Sequence, residues 1–325
     1  MSRGLDIQAS RRSTRWLGID IGGTNIKWAI LDGRTLVESG STPTAQDGER
    51  SVVAQVAALI GERCGAVGDT GIKGTGIKGT GITVPGHVDD NTGRTGIVPN
   101  LPGQWRDFPL REALAHATGQ RVALLNDARA FALAELHLGA ATELTDVLFV
   151  VLGTGVGGAV VLNRELLGGA AGRIGEVGHI SVVPDGPPCG CGNRGCVDAI
   201  AGGAGLVAGV RAAGGLGELT PADVFAAASR GEPPAAEVVD RARAAIAHAV
   251  ANACALLAIS DVVVGGGLAR HYPDLVDVVG RRLARLAPLI GPSRVRLAHF
   301  TDHSAAIGAA IGARNVPDQT RLEHT

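Results

Sequence analysis

The chain has 325 residues, 45% hydrophobic and 19% charged, a length that predicts two domains and a composition ordinary for a globular protein. A net charge of −1 with no basic stripe speaks against nucleic acid as a partner, the apolar runs are too short to span a membrane, and the basic start lacks the apolar centre of a secretory signal. Glycine is the outlier at 49 residues, about 15% or roughly twice ordinary usage, and three of the five cysteines fall within 189–196, which suits a reduced, cytoplasmic protein with a metal site better than a disulfide framework.

In chain order, residues 1–14 are expected to be a disordered tail. Trp16–Ile21 and Ile26–Leu31 read as strands joined by the turn Gly22-Gly23-Thr24, and Arg50–Arg63 has helical periodicity. The pentapeptide Thr70-Gly-Ile-Lys-Gly is repeated from Thr75 and begun again at Thr80. Its period is too short for a solenoid, so it reads as a local duplication lengthening the loop before a strand at Gly81–Val84. Arg121–Leu125 is a buried-type strand, Ala128–Leu138 a helix stopped by Gly139, and Asp146–Leu152 a strand closed by Gly153–Gly158. Residues 172–205 are expected to be irregular. Ala235–Ala258 is a long Ala-rich helix, followed by the strand Asp261–Val264, the turn Gly265-Gly266-Gly267 and another helix. Ser304 is expected to cap a last helix, Ala305–Arg314. Strands alternate with helices, so the class is α/β.

Two segments carry a phosphate signature. In Asp20-Ile-Gly-Gly-Thr24, Gly22 and Gly23 let backbone N–H groups approach a phosphate and Thr24 adds a hydroxyl, while Asp20 is a hard oxygen group suited to the water shell of Mg2+. A plain hairpin turn accounts equally well for this segment taken alone. Gly153-Thr-Gly-Val-Gly-Gly158 repeats the design, and because a strand follows it is neither a P-loop nor a Rossmann turn. Together the two turns read as halves of a clamp on one nucleotide, with Gly153, Thr154, Gly155 and Gly157 forming the second half. Gly265, Gly266 and Gly267 supply a third contact, against adenine or ribose.

The set Asp20–Thr24, Asn126-Asp127, Gly153–Gly158, Gly175-Glu-Val-Gly-His179, Cys189–Cys196 and Gly265–Gly267 resembles, in order and spacing over roughly residues 16–314, the ROK family of bacterial sugar kinases and sugar-responsive repressors. The resemblance implies an actin/hexokinase-like (ribonuclease H-like) α/β fold of two domains around a ligand cleft, sugar at its bottom and ATP above. The small domain would comprise residues 15–126 plus 304–318, and the larger one residues 127–303 with a zinc knuckle at 179–196. The resemblance makes Asp127 the catalytic base, at the start of a helix whose dipole is expected to keep its carboxylate ionised at ordinary acidity. Asn126 would orient sugar hydroxyls, the alternative being a simple Asn-Asp helix cap. Glu176 and His179 become sugar contacts.

His179, Cys189, Cys191 and Cys196 form an H-x9-C-x-C-x4-C array, a closed structural zinc set of three thiolates and an imidazole; the alternative is three unrelated cysteines. Cys64 and Cys254 sit in apolar, helix-like stretches and read as inert. One departure concerns Asp198. The family usually has Glu there, two residues past the last cysteine, contacting hydroxyls at C1 and C2; the shorter Asp leaves the sugar's identity open.

The activity implied is ATP-dependent phosphorylation of a hexose, glucose-type at the 6-hydroxyl, by a cytoplasmic homodimer. An amino hexose (kanosamine, N-acetylmannosamine or N-acetylglucosamine) or polyphosphate as donor are the alternatives. A repressor is disfavoured, because 19 residues before Asp20 are too few for a helix-turn-helix domain and the phosphate loops look whole.

Overall fold

The computed structural model describes residues 14–64, 67–68, 71–72, 76–215, 217–272 and 274–314; the expected tail over 1–13, positions 70 and 73–75 of the pentapeptide repeat and residues 315–318 lie outside the described residues. Two five-stranded sheets carry the fold, and they share one strand plan. The first half runs β1 (Arg15–Ile21), β2 (Asn25–Asp32), β3 (Thr35–Pro43), α1 (Glu49–Cys64), the two-residue strands β4 (Val67–Gly68) and β5 (Gly71–Ile72), β6 (Ile77–Val84), α2 (Leu110–Thr118), β7 (Val122–Asn126) and α3 (Asp127–Leu138). β1 pairs antiparallel with β2 and parallel with β6, giving the order β3-β2-β1-β6-β7.

The second half runs β8 (Val147–Leu152), β9 (Val156–Leu162), β10 (Glu165–Leu166), α4 (Val197–Ala201), α5 (Gly203–Ala212), α6 (Pro221–Ser229), α7 (Ala235–Leu257), β11 (Asp261–Gly265), α8 (Leu275–Ala284), α9 (Ala287–Ile290), β12 (Arg294–Leu297) and α10 (Ser304–Ala313). Here β8 pairs antiparallel with β9 and parallel with β11, in the order β10-β9-β8-β11-β12. Each glycine turn therefore joins the first two strands of its own sheet. The apolar runs of β1 and β8 become central strands, buried on both faces, because parallel neighbours and helices cover them.

The small residues of α10 (SAAIGAAIGA) explain how the chain end returns to the first sheet. A Cβ at Gly18 of β1 would strike the Ala306 carbonyl, and one at Gly81 of β6 would strike that of Ala309. Helix and strands thus meet backbone to backbone, which only glycine permits. Leu133 and Ala134 of α3 join Ala306, Ile307, Ala310 and Ile311 in one buried cluster. β1, β6 and α3 are thereby fixed to one another.

Several sequence expectations change. β6 starts at Ile77 rather than Gly81, and β3 was not expected because an exposed edge strand lacks an apolar period. The end of the stretch expected to be irregular is helical, in α4 and the start of α5. Ser304 is the first residue of α10 and not its cap; His303, at φ 55°, holds that position without a side-chain bond. The Gly265–Gly267 turn leads first into a single 3-10 turn, Ala269–His271, and only then to α8. Among the described residues no helix is long and apolar enough to cross a membrane.

Candidate active site

The two hairpin turns face each other across a cavity of about 480 Å³. Asp20, Gly22, Gly23 and Thr24 line it from the first sheet, and Gly153, Thr154, Gly155 and Gly157 from the second. Asn126 and Asp127, at the β7–α3 junction, form part of the wall, and Glu176, His179 and Asp198 close it from the segment between β10 and α5. The structure thus gathers into one cleft residues that the sequence scatters over most of the chain.

The β7–α3 junction fixes Asp127 tightly. Asn126 is the N-cap of α3, its Oδ1 accepting from Arg129 N at 3.1 Å, so the capping alternative is also true. Asn126 Nδ2 donates to Gly86 O at 2.6 Å and to Asp127 Oδ1 at 3.0 Å. The same Oδ1 accepts from Ala128 N at 2.8 Å. Burial, then repulsion from Asp20, pushes the Asp127 carboxyl up to about 7. The expectation of ordinary acidity is therefore corrected: the helix start and its bonds pull the pKa down, and desolvation outweighs them. Burial likewise raises Asp20, opposed by a bond from Thr83 Oγ1 to Asp20 Oδ1 at 2.8 Å. Two carboxylates held above their usual pKa in one cleft suit a hard dication, and Asp20 fits the expected Mg2+.

At the other end, ligand atoms of His179, Cys189, Cys191 and Cys196 all lie within 4.8 Å of one another. Cys189 Sγ is 3.6 Å from His179 Nδ1, and Cys191 Sγ is 3.7 Å from Cys196 Sγ. A tetrahedron with Zn–S of about 2.3 Å and Zn–N of about 2.0 Å has edges of roughly 3.5–3.8 Å, so the donor set fits zinc. His179 turns Nδ1 to the thiols and Nε2 towards Glu176 Oε2, 3.8 Å away. Cys64 and Cys254 are buried, as expected.

A second cavity of about 860 Å³ adjoins the first through Gly153 and Thr154. Its walls are the apolar face of α5 (Ala204, Val207, Ala208), with Arg211, Leu219 and Pro221, and opposite them Gly267 and Leu268. Of the expected third contact, only Gly267 reaches it. A Cβ at Gly265 would strike Phe131, and one at Gly266 the Leu152 carbonyl, so these two glycines serve packing. Sequence reasoning missed the α5–α6 wall, although the Thr220–Asp223 capping box with Pro221 at the first helical position is a readable helix signal. It also missed Pro85, Gly86, Pro99 and Asn100 on the first cavity, which loops bring in without any local signature.

The ROK family model matches residues 16–316. The glucokinase of Halalkalibacterium halodurans is 36% identical, with 91% of this chain and 94% of that protein covered. The N-acetylmannosamine kinase of Citrobacter koseri is 34% identical, with 92% and 98% covered. Among solved structures, a ROK family glucokinase from Streptomyces griseus in complex with glucose and AMPPNP is 28% identical, with a TM-score of 0.74 and 92% and 99% of the two chains covered. With its two sheets on one plan and its motifs gathered in one cleft, this chain belongs to the ROK family.

Proposed function

We propose that this chain is an ATP-dependent kinase of a hexose, glucose-type, acting on the 6-hydroxyl. The observation that carries the reading is the carboxyl of Asp127, half-buried and pushed up to about 7, in a cavity whose walls include the glycine turns of both sheets. A base poised near neutral pH accepts a hydroxyl proton readily. In the proposed reaction the sugar oxygen forms a bond to the γ-phosphorus of ATP, its proton passes to Asp127, and the bond to the bridging oxygen breaks, so that ADP leaves. The turns at Gly23-Thr24 and Thr154-Gly155 offer backbone N–H groups to the phosphates, and the apolar wall of α5 suits adenosine. Mg2+, which Asp20 would help to hold, would neutralise phosphate charge when bound.

Glu176 and His179 form the proposed sugar end, with Asn126 holding Asp127 in place. Zinc on His179 Nδ1 and the three cysteines would leave Nε2 free for a sugar hydroxyl and fix the ring's tautomer. The small domain is proposed as residues 15–126 with α10, on the support of its packing against β1 and β6. A homodimer in the cytoplasm is the proposed setting. An amino hexose is the second reading, favoured by the likeness to the Citrobacter koseri N-acetylmannosamine kinase. A coupled ADP-release assay over glucose, mannose, N-acetylmannosamine, N-acetylglucosamine and kanosamine, with ATP and polyphosphate as donors, tests these readings. Turnover of none would overturn the proposal.

A further inference from the structure

Asp198 stands where the family usually has Glu, and its surroundings explain more than a shorter reach to sugar. Its Oδ1 accepts a hydrogen bond from Val156 N at 2.7 Å, the residue that ends the Gly153–Gly155 turn and opens β9. Oδ2 lies 4.0 Å from Cys189 Sγ, so the carboxylate sits between the Cys/His cluster and the turn. A Cβ at Gly155 would strike Oδ1, which means the carboxylate packs directly on the turn's backbone. The segment behind it holds the same turn: Gly203 N donates to Gly153 O at 3.0 Å and Ala204 N to Thr154 O at 3.1 Å. Three bonds therefore join residues 198–204 to the turn, and only the one from Asp198 depends on a side chain. A Glu here would carry its carboxylate one methylene further, away from a bond that Asp makes at its natural length.

We infer that Asp198 is a positioning residue for the phosphate-facing turn, holding Val156 and Gly155 so that the turn's N–H groups stay aimed at the nucleotide. This rests on the proposed kinase reading and deepens it, by assigning Asp198 to the donor side before the sugar side. The chemistry needed is an acceptor oxygen at the reach of Asp, with no requirement for charge. Asn supplies that oxygen, and Ala does not.

The test is a steady-state comparison of wild type, Asp198→Ala and Asp198→Asn with ATP and the best hexose of the panel. The alanine variant should raise KM for ATP about tenfold, the worth of one hydrogen bond to a charged group, while KM for the hexose stays within about twofold. Asp198→Asn should restore KM for ATP to within about threefold of wild type. The isosteric Asn variant carries the test alone if the alanine variant does not fold. A rise in hexose KM with ATP KM unchanged, a rise in both, or an Asn variant as impaired as the Ala variant would each overturn the inference. If the wild type phosphorylates no sugar, the kinase reading fails separately. Calorimetric titration with ATP alone then decides the inference, which requires weaker binding by about tenfold in Asp198→Ala than in Asp198→Asn.

Discussion

Replacing Asp127 by Asn tests the base and the electrostatics of the cleft together. Oδ1 of Asp127 accepts from Ala128 N at 2.8 Å and from Asn126 Nδ2 at 3.0 Å, and an amide oxygen can accept both bonds unchanged. What the amide removes is a negative charge opposed first by burial and then by Asp20, the causes that raise this carboxyl from 3.8 to about 7. At 1.36 kcal/mol per unit that shift corresponds to about 4 kcal/mol, and since the side chain lines an open cavity roughly half of it, about 2 kcal/mol, is the expected gain in stability. The sign follows from the direction of the shift. Below about pH 4 the carboxyl is protonated in both folded and unfolded chains, and the two proteins do not differ by this charge. As pH rises towards 7 the unfolded chain releases its proton first, so the wild type loses stability progressively, and above 7 the loss is complete. Urea denaturation of the unliganded proteins should find the Asn variant more stable by about 2 kcal/mol at pH 8 and by less than about 1 kcal/mol at pH 5. Its kcat should fall by about 10²–10⁴-fold in the ADP-release assay. An equal difference at both pH values, or none, would refute the charge strain, and a near-wild-type kcat would refute the role as base.

The remaining expectations concern the supports of the site. Metal analysis of the purified protein should find about one zinc per chain, and chelation should weaken calorimetric binding of both hexose and ATP, because the Cys/His cluster includes His179 and borders Asp198, which holds the Gly153–Val156 turn. Thr83→Val keeps the side chain's shape and removes the bond to Asp20 Oδ1; it should raise the Mg2+ concentration for half-maximal rate by about tenfold and leave hexose KM within about twofold. Glu135 is fully buried and accepts from Ala140 N at 2.7 Å, His299 N at 3.0 Å and Phe300 N at 2.8 Å. Glu135→Ala strands three donors at about 1 kcal/mol or more each, so denaturant unfolding should show a loss of at least about 3 kcal/mol.

The framework was legible where apolar runs end on glycine. β1, β8 and β11 all have that form, because a central strand is apolar over most of its length and its exit must leave room for a ligand or a neighbouring backbone. β3 was not legible, since TLVESGSTP is an exposed edge whose pairing comes from β2 and not from burial. Among the site residues, Asp20, Asn126, Asp127 and the Cys/His set announced themselves by motif. The acidity of Asp127 could not, because it depends on burial and on Asp20, which the fold alone brings near. Gly265 and Gly266 misled for the converse reason: a glycine spared for packing against Phe131 or Leu152 looks, in sequence, like one spared for a ligand.

The common plan of the two sheets separates what the fold supplies from what was added to it. Asp20 pairs with Lys27, one rung before its hairpin closes at Ile21 and Ile26. Val151 pairs with Gly157, one rung before Leu152 and Val156. Both line the same cavity from equivalent positions, one with a carboxylate and the other with an apolar side chain. β7 ends at Asn126 and passes directly to Asp127, whereas its counterpart β12 ends at Leu297 and passes to Ala298. The duplicated framework thus provides two glycine turns suited to phosphate, and the acids that line the cavity at or beside strand ends, Asp20 and Asp127, belong to the first sheet alone. Glu176, His179 and Asp198 come instead from the segment between β10 and α5, which forms no strand of either sheet. That segment is rich in glycine, and Val177, Val197 and Ala201 anchor it to the core while the glycine-rich stretch between them is largely exposed. A cluster of three thiols and an imidazole at zinc-like spacing would fasten that stretch with a metal bound, because metal-binding free energy would add to the burial at its ends. Side chains at strand ends are positioned by the sheet. Those of the inserted segment need a fastening of their own, and the Cys/His cluster lies where it can fix His179 and, through the neighbouring Asp198, the turn of the second sheet.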